Sequence, residues 1–364
     1  MIRALAAVSL MALTSGCIAA AVVPIAASSS AIVKSRMAEK RAAHQGAAPQ
    51  TLPAPSAGEG LTNLVPTLKE RQVGAEAPPA PGIPATLPAR GVVPEGMQYL
   101  YGSGEASAGS IQAYRALQRY LADIVTYGKK GAARQVVLSD GASLNAPQFE
   151  PCGPKPLAVV LDIDETAVLN LGYEADAARR GESYDAARWS RWEQSGADKV
   201  VAVPGAKMAL DAARAAGITV IFNSNRLAEN AAATEAALAH AGLGPAKHGT
   251  TLWLKGDDGG GSGKDDRRWA IASGYCVIAL VGDQLGDFSD LFNEARLAPS
   301  TRRALAGSPA LAALWGNGWF MLPNPVYGTA LKGSADEIFP HDMRWTDPGP
   351  AATAPAAGTA VQPK

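Results

Sequence analysis

Five apolar residues, Leu157-Ala158-Val159-Val160-Leu161, run directly into Asp162-Ile163-Asp164-Glu165-Thr166. Two more apolar runs end the same way. The first, residues 218–222, leads into Asn223-Ser224-Asn225-Arg226, and the second, residues 277–281, into Gly282-Asp283-Gln284-Leu285-Gly286-Asp287. Between these two lies a glycine-rich stretch, residues 259–263, followed by Lys264. Taken singly, each group has a plain structural use. A DxD after a strand serves as a turn or helix cap, Ser224 as a cap, Lys264 beside two aspartates as a solvated charge, and GDxxxD as a helix start. The ordered conjunction of acid pair, hydroxyl, lysine and second acid pair is what those uses fail to explain. Such a set suits hydrolysis of a phosphate monoester, whose anionic oxygens repel an incoming nucleophile until a cation and fixed donors offset them. Asp162 and Asp283 supply hard oxygen ligands of the kind Mg²⁺ takes, Ser224 and Lys264 bind phosphoryl oxygens, and Asp164 faces the leaving group.

The elements that must position these groups are legible in outline. The apolar runs 157–161, 218–222 and 277–281 read as buried parallel strands, with a shorter strand at 251–254. Helices are expected at 107–127, where Ile111, Tyr114, Leu117, Leu121 and Ile124 recur at three and four residues, and at 204–216, 234–241 and 267–273. Strands alternating with helices imply an α/β fold, a doubly wound parallel sheet whose chemistry sits at the carboxyl ends of its strands. Three of the four motifs fall at such ends and therefore on one rim.

Composition narrows the alternatives. Among 364 residues, Lys+Arg and Asp+Glu are equal at 33 each, so no global field recruits a nucleic-acid polymer, and an anionic ligand must be caught locally. Three cysteines, without a CxxC pair, and four histidines, without ligand spacing, argue against zinc and against a Cys/His nucleophile. Residues 42–94 and 347–364 are rich in Ala, Pro and Gly and read as a tether and a tail, leaving a folded region over 95–346. At the start, Arg3, an apolar stretch and Thr14-Ser15-Gly16-Cys17 resemble a bacterial lipoprotein signal. That resemblance implies a leader over 1–16, lipidation of Cys17, and a lipid-anchored protein of the bacterial cell envelope facing the periplasm or outer surface. A cleaved signal or an uncleaved anchor also places the folded part outside the cytoplasm.

With these residues assembled, the chain resembles the haloacid dehalogenase (HAD) superfamily and, more narrowly, its class C acid phosphatases, the bacterial lipoprotein 5′-nucleotidases. Further similar stretches are Trp189-Ser190-Arg191-Trp192, Val203-Pro204-Gly205 and Leu322-Pro323-Asn324-Pro325-Val326-Tyr327-Gly328. The resemblance implies a HAD-like sheet with helices on both faces and a small, mainly helical cap at about 170–200. It implies Asp162 as nucleophile, Asp164 as acid and base, and Ser224 and Lys264 as phosphate ligands, with Lys255 a nearby competitor for the lysine role. Mg²⁺ is implied at Asp162, the Asp164 carbonyl and Asp283, with Asp287 as a further ligand or a partner behind the ligands. The implied substrate is a small phosphomonoester such as a nucleoside monophosphate, with Tyr173 and Tyr327 stacking on a flat leaving group. The competing use for the cap's aromatics is its own core. The sequence departs from the family at Leu169, where an Asp is common, and at Asn223. In the superfamily sheet Cys152 and Cys276 precede neighbouring strands, and an oxidising compartment permits a disulfide that the sequence leaves open. An idle nucleotide-binding surface lipoprotein and a HAD-type phosphotransferase are the alternatives, the first disfavoured by an intact and mutually repulsive carboxylate set.

Overall fold

The computed structural model describes residues 93–128, 135–259, 261–294 and 297–349. The expected leader, Cys17, nearly all of the tether and the tail beyond residue 349 lie outside the described residues. Among those described, no helix is long and apolar enough to cross a membrane.

After short helical turns at Glu95–Met97 and Gln98–Gly102, helix α1 (Gly104–Tyr127) follows, its start capped by Ser103, whose hydroxyl accepts from the Ala106 N–H. The sheet is then built from β1 (Leu157–Leu161), the cap follows, and the remaining strands alternate with helices. The cap comprises β2 (Val168–Leu169), α2 (Leu171–Arg180), α3 (Ala186–Ser195) and β3 (Val201–Ala202), with β2 and β3 paired antiparallel at its base. After it come α4 (Ala206–Ala215), β4 (Thr219–Leu227), α5 (Ala231–His240), β5 (Leu252–Lys255), α6 (Asp265–Gly274), β6 (Cys276–Gly282), α7 (Pro299–Ala306) and β7 (Trp319–Met321). The central sheet runs β5-β4-β1-β6-β7 with every pairing parallel. This is the expected HAD-like doubly wound α/β fold.

Two cores, one on each face, explain the continuous apolar runs. In β1, Val159 and Leu161 face α1, α4 and α5, while Ala158 and Val160 face the layer of α6, Val136–Leu138, Phe288 and Phe292. β4 divides likewise, with Val220 and Phe222 on one side and Ile221 on the other. A strand buried on both faces loses the polar alternation that marks a half-exposed one.

Some expected elements differ in extent, and one strand was not expected. The second strand does not stop at Phe222 but continues to Leu227, because β5 pairs with it as far as the Leu227–Lys255 register. The fifth strand, β7, has only three residues and too little pattern to show in the sequence. α5 starts at Ala231 rather than at 234, in a run of alanines that has no apolar stripe.

Cys152 and Cys276 are joined by a disulfide at the amino ends of β1 and β6, with their Cα atoms 4.4 Å apart. The link closes a 124-residue separation. Constraining the unfolded chain over such a loop contributes on the order of 3–5 kcal/mol.

Candidate active site

Beyond Leu161 the chain leaves β1 in a tight turn. The Ala167 and Val168 N–H groups both donate to the Ile163 carbonyl, at 2.8 and 2.9 Å, and Glu165 adopts a left-handed conformation with φ 55°. A non-glycine residue there costs about 1 kcal/mol and needs outside support. The Glu165 carboxylate supplies it: buried at 1% exposure, it accepts from the Asn170 N–H at 3.0 Å, from the Tyr101 hydroxyl at 3.1 Å and from the Tyr327 hydroxyl. Burial, then the neighbouring Asp164 charge, pushes this carboxyl up to about 8. The turn separates the motif's two aspartates. Asp162 faces the rim's centre and Asp164 faces β4.

Around Asp162 the groups from three strand ends converge. Lys264 Nζ donates to Asp162 at 2.5 Å and to Asp287 at 2.7 Å. Asp283 accepts from Thr166 Oγ1 at 2.7 Å and Asn324 Nδ2 at 2.8 Å. Asp287 also closes a capping box with Gln284 over residues 285–287, which fixes its carboxylate beside Asp283. One oxygen from each of Asp162, Asp283 and Asp287 lies within 4.8 Å of the others. Burial pushes Asp162 well above the usual carboxylate range despite the pull of Lys264, and repulsion from Asp287 and Asp283 adds to the rise. Burial, then Asp287, pushes Asp283 up to about 7. Burial works against the charge on Lys264, but Asp162 and Asp287 outweigh it and hold the amine above its ordinary value. A set of hard, closely spaced carboxylate oxygens that strain against one another fits a small divalent cation such as Mg²⁺.

Because β4 extends past Phe222, its side chains alternate across the rim. Ser224 and Arg226 point to Asp164. The Arg226 guanidinium, 2% exposed, donates from Nη2 at 2.7 Å and Nε at 2.9 Å to Asp164 Oδ1, and from Nη2 to Asn170 Oδ1 at 2.8 Å. Ser224 Oγ lies 3.4 Å from Asp164 Oδ2. Asn223 and Asn225 point the other way and hold the lysine loop, through Asn223 Nδ2 to the Lys264 carbonyl at 3.4 Å and Asn225 Nδ2 to the Ser262 carbonyl at 2.9 Å. The Asn223 departure thus has a structural use. At Leu169, the other departure, the side chain is 8% exposed in the β2–β3 pair, and the next residue, Asn170, makes the polar contacts.

Two arginines not singled out in the sequence bind the motif loops into one frame. Arg267, fully buried, donates to the Ser224 carbonyl at 2.6 Å, Asn225 Oδ1 at 2.7 Å and the Gly263 carbonyl at 2.8 Å, and pairs with Asp258 at 3.2 Å. Arg268 donates to the Gly286 and Asp287 carbonyls, each at 3.0 Å, and pairs with Asp265. Asp290 accepts from the Lys264 and Asp265 N–H groups at the start of α6. Asp265-Asp266-Arg267-Arg268 looks like a solvated charge run in sequence, and its only signal was adjacency to Lys264. Lys255 lies in β5, whereas Lys264 reaches Asp162.

Facing this rim across a cavity of about 700 Å³ is the cap wall, with Tyr173, Glu174, Tyr184 and Trp189 on one side and Tyr327 on another. Tyr173 is 5% exposed and packs edge-on against Trp189, centroids 4.8 Å apart, with Arg188 lying 5.1 Å from its ring centre. Tyr173 and Trp189 therefore serve the cap's packing and line the cavity at once. Trp192 packs below them, so close to α2 that a Cβ on Gly172 would meet its ring at 2.7 Å. Gly328, which follows Tyr327, has φ 104°, a turn that a side chain would strain.

Residues 105–330 match the family model described as HAD superfamily, subfamily IIIB (acid phosphatase). The crystal structure of class C acid phosphatase from Bacillus anthracis with tungstate bound is similar at TM-score 0.51 and 23% identity, over 67% of this chain and 92% of that one. Another structure of the class C acid phosphatase from Bacillus anthracis is similar at TM-score 0.52 and 23% identity, over 65% of this chain and 84% of that one. No curated protein matches the chain significantly.

Proposed function

The chain belongs to the acid phosphatases of HAD superfamily subfamily IIIB, enzymes that hydrolyse phosphomonoesters, and from that premise we propose that it is a Mg²⁺-dependent 5′-nucleotidase working through a phosphoaspartyl intermediate. The observation that carries this reading is the convergence of Asp162, Asp283, Asp287 and Lys264 at the strand ends, with Asp164 set apart from them on the Arg226 side.

An Asp162 carboxylate oxygen attacks phosphorus, the bond to the leaving oxygen breaks, and Asp164 gives that oxygen its proton. Water then attacks the acyl phosphate while Asp164 takes a proton from it, and phosphate leaves with Asp162 regenerated. Lys264 and Ser224 hold the non-bridging oxygens, where fixed donors act on the charge that develops at phosphorus. Asp162, the Asp164 carbonyl, Asp283 and Asp287 would hold Mg²⁺, which when bound offsets the negative charge shared by carboxylates and phosphate. In the structure Lys264 bridges Asp162 and Asp287, and Asp164 is clamped by Arg226. Substrate entry therefore exchanges those contacts for phosphoryl oxygens and the leaving group. Tyr173 and Tyr327 offer aromatic surface to a nucleobase above the phosphate site.

We place the enzyme in the bacterial cell envelope, anchored through Cys17. The lipoprotein-like start supports this, and the Cys152–Cys276 disulfide is of the kind that persists in an oxidising compartment.

Phosphate release from a mononucleotide panel tests the reading. Wild-type activity is expected to vanish in EDTA and return with Mg²⁺, and Asp162→Asn to lower kcat by about 10⁴-fold or more. Turnover unaffected by Asp162→Asn would defeat the mechanism.

A further inference from the structure

Glu174, in the first turn of α2, is a carboxylate without a partner on the wall of the catalytic cavity. It is 6% exposed, yet its carboxylate makes no hydrogen bond and no ion pair among the described residues. The cation that acts on it, Arg188, is committed elsewhere: it pairs with Glu182 at 2.5 Å and donates to the Ser183 carbonyl at 2.9 Å and the Tyr173 hydroxyl at 3.3 Å. Asp164, close enough to repel it, is occupied by Arg226. Burial followed by that repulsion pushes the Glu174 carboxyl up to about 7, so its charged form is costly while the cavity lacks a donor.

Partial burial of a carboxylate without a protein hydrogen bond has a cost, although its oxygens stay open to the cavity. The position along the helix reduces that cost only slightly, since the α2 dipole favours an acidic group in the first turn by well under the burial penalty. Across the cavity, on the rim, Asp162, Asp164, Asp283, Asp287 and Lys264 all have protein partners. Glu174 differs in that it lines the cavity without one, and Asp164, to which the alcohol oxygen points when phosphorus lies against Asp162, is near enough to repel it.

We propose that Glu174 selects the leaving group, its carboxylate receiving a hydrogen bond from an amino or hydroxyl donor that the departing alcohol carries away from its ester oxygen. This rests on the phosphomonoesterase reading and sharpens it. Phosphorus chemistry stays with Asp162 and Asp164, while Glu174 discriminates among alcohols. Its role is recognition. Esters that present only hydrocarbon to this wall leave the carboxylate unpaired and bind less well.

Matched pairs of esters test it: ethanolamine phosphate against propyl phosphate, propane-1,3-diol monophosphate against butyl phosphate, and adenosine 5′-monophosphate against the purine riboside analogue that lacks the exocyclic amine. The three pairs distinguish an ammonium, a hydroxyl and a nucleobase amine as the donor. Wild type is expected to prefer the donor-bearing member of at least one pair by about 10- to 100-fold in kcat/KM. In Glu174→Leu that preference is expected to fall to within about threefold of unity, with the donor-free partner turned over at close to the wild-type rate. Glu174→Gln, which keeps the shape and removes the charge, is expected to lose most of the preference if the donor is the ammonium and to keep part of it otherwise. Equal turnover within every pair by wild type, a preference that survives Glu174→Leu, or an equal loss on both members would overturn the proposal. Failure of wild type to hydrolyse even the donor-free esters would instead strike the parent reading, and this one with it.

Discussion

The rim of the sheet and the cap wall face each other across one cavity and are built on opposite principles. On the rim, charged side chains are buried and held by several fixed partners: Arg267 by two carbonyls, an amide and Asp258, and Arg268 by the Gly286 and Asp287 carbonyls and Asp265. On the wall, contacts are aromatic edges and half-exposed ion pairs. Arg188 pairs with a Glu182 that is 55% exposed, Tyr184 is largely exposed, and Glu174 has no partner among the described residues. Phosphoryl transfer needs charges placed to a fraction of an ångström, and a mesh of buried ion pairs and carbonyl bonds supplies that. A leaving group that varies from substrate to substrate meets the looser wall, where few bonds must break to admit a new shape.

The contrast makes measurable claims. Its sharpest break lies in two arginines. Arg267→Met removes the pin between the Ser224 and Lys264 loops together with the ion pair to Asp258, and should cost about 3–5 kcal/mol in denaturant unfolding together with most activity. Arg188→Met, on the wall, should cost about 1 kcal/mol or less; comparable losses would erase the distinction. A smaller effect is expected at Glu165, beneath the rim. Its carboxyl is raised from near 4.5 to about 8, so the folded state binds the extra proton, and the stability this gives is full below about pH 4.5 and lost as pH rises through about 8. Glu165→Gln, which has nothing to ionise, should flatten the decline between about pH 5 and 8 by about 1–3 kcal/mol, read as melting temperature against pH. The smallest effect is expected from Tyr327→Leu compared with Tyr327→Phe. If the ring stacks on a base, Leu should raise KM for a nucleoside monophosphate by about 5- to 10-fold and leave an alkyl phosphate nearly unchanged, while Phe keeps the stack and loses only the bond to Glu165. An equal change on both esters would assign Tyr327 to the support of Glu165 alone.

The parts of the site visible in sequence were those marked by a change of character. An apolar run that gives way to polar residues marks the carboxyl end of a buried stretch, so Asp162, Ser224, Asp283 and the lysine after the glycines could be found without coordinates. Arg226 stood in view, one residue beyond Asn225, but its use depends on β4 continuing to Leu227, and that continuation is set by pairing with β5. The same extension points Asn223 and Asn225 to the lysine loop. Arg267 and Arg268 were hidden for another reason. A charge run next to glycines reads as solvent-facing until the chain folds over it, and their burial at 0% and 1% comes from loops distant in sequence. β7 was missed because three residues hold no periodicity.

By itself the sequence determined the order of strands and helices and the residue types at the strand ends. Those follow from local pattern, from runs of apolar side chains that must leave water and from polar breaks that cannot enter the core. Only the tertiary structure decided which of those polar residues meet. The turn at Glu165 separates Asp162 from Asp164, Lys264 reaches back to the first strand, Cys152 finds Cys276, and Glu174 is left with a carboxylate facing the cavity. These depend on distances between segments far apart along the chain, which periodicity and composition do not encode.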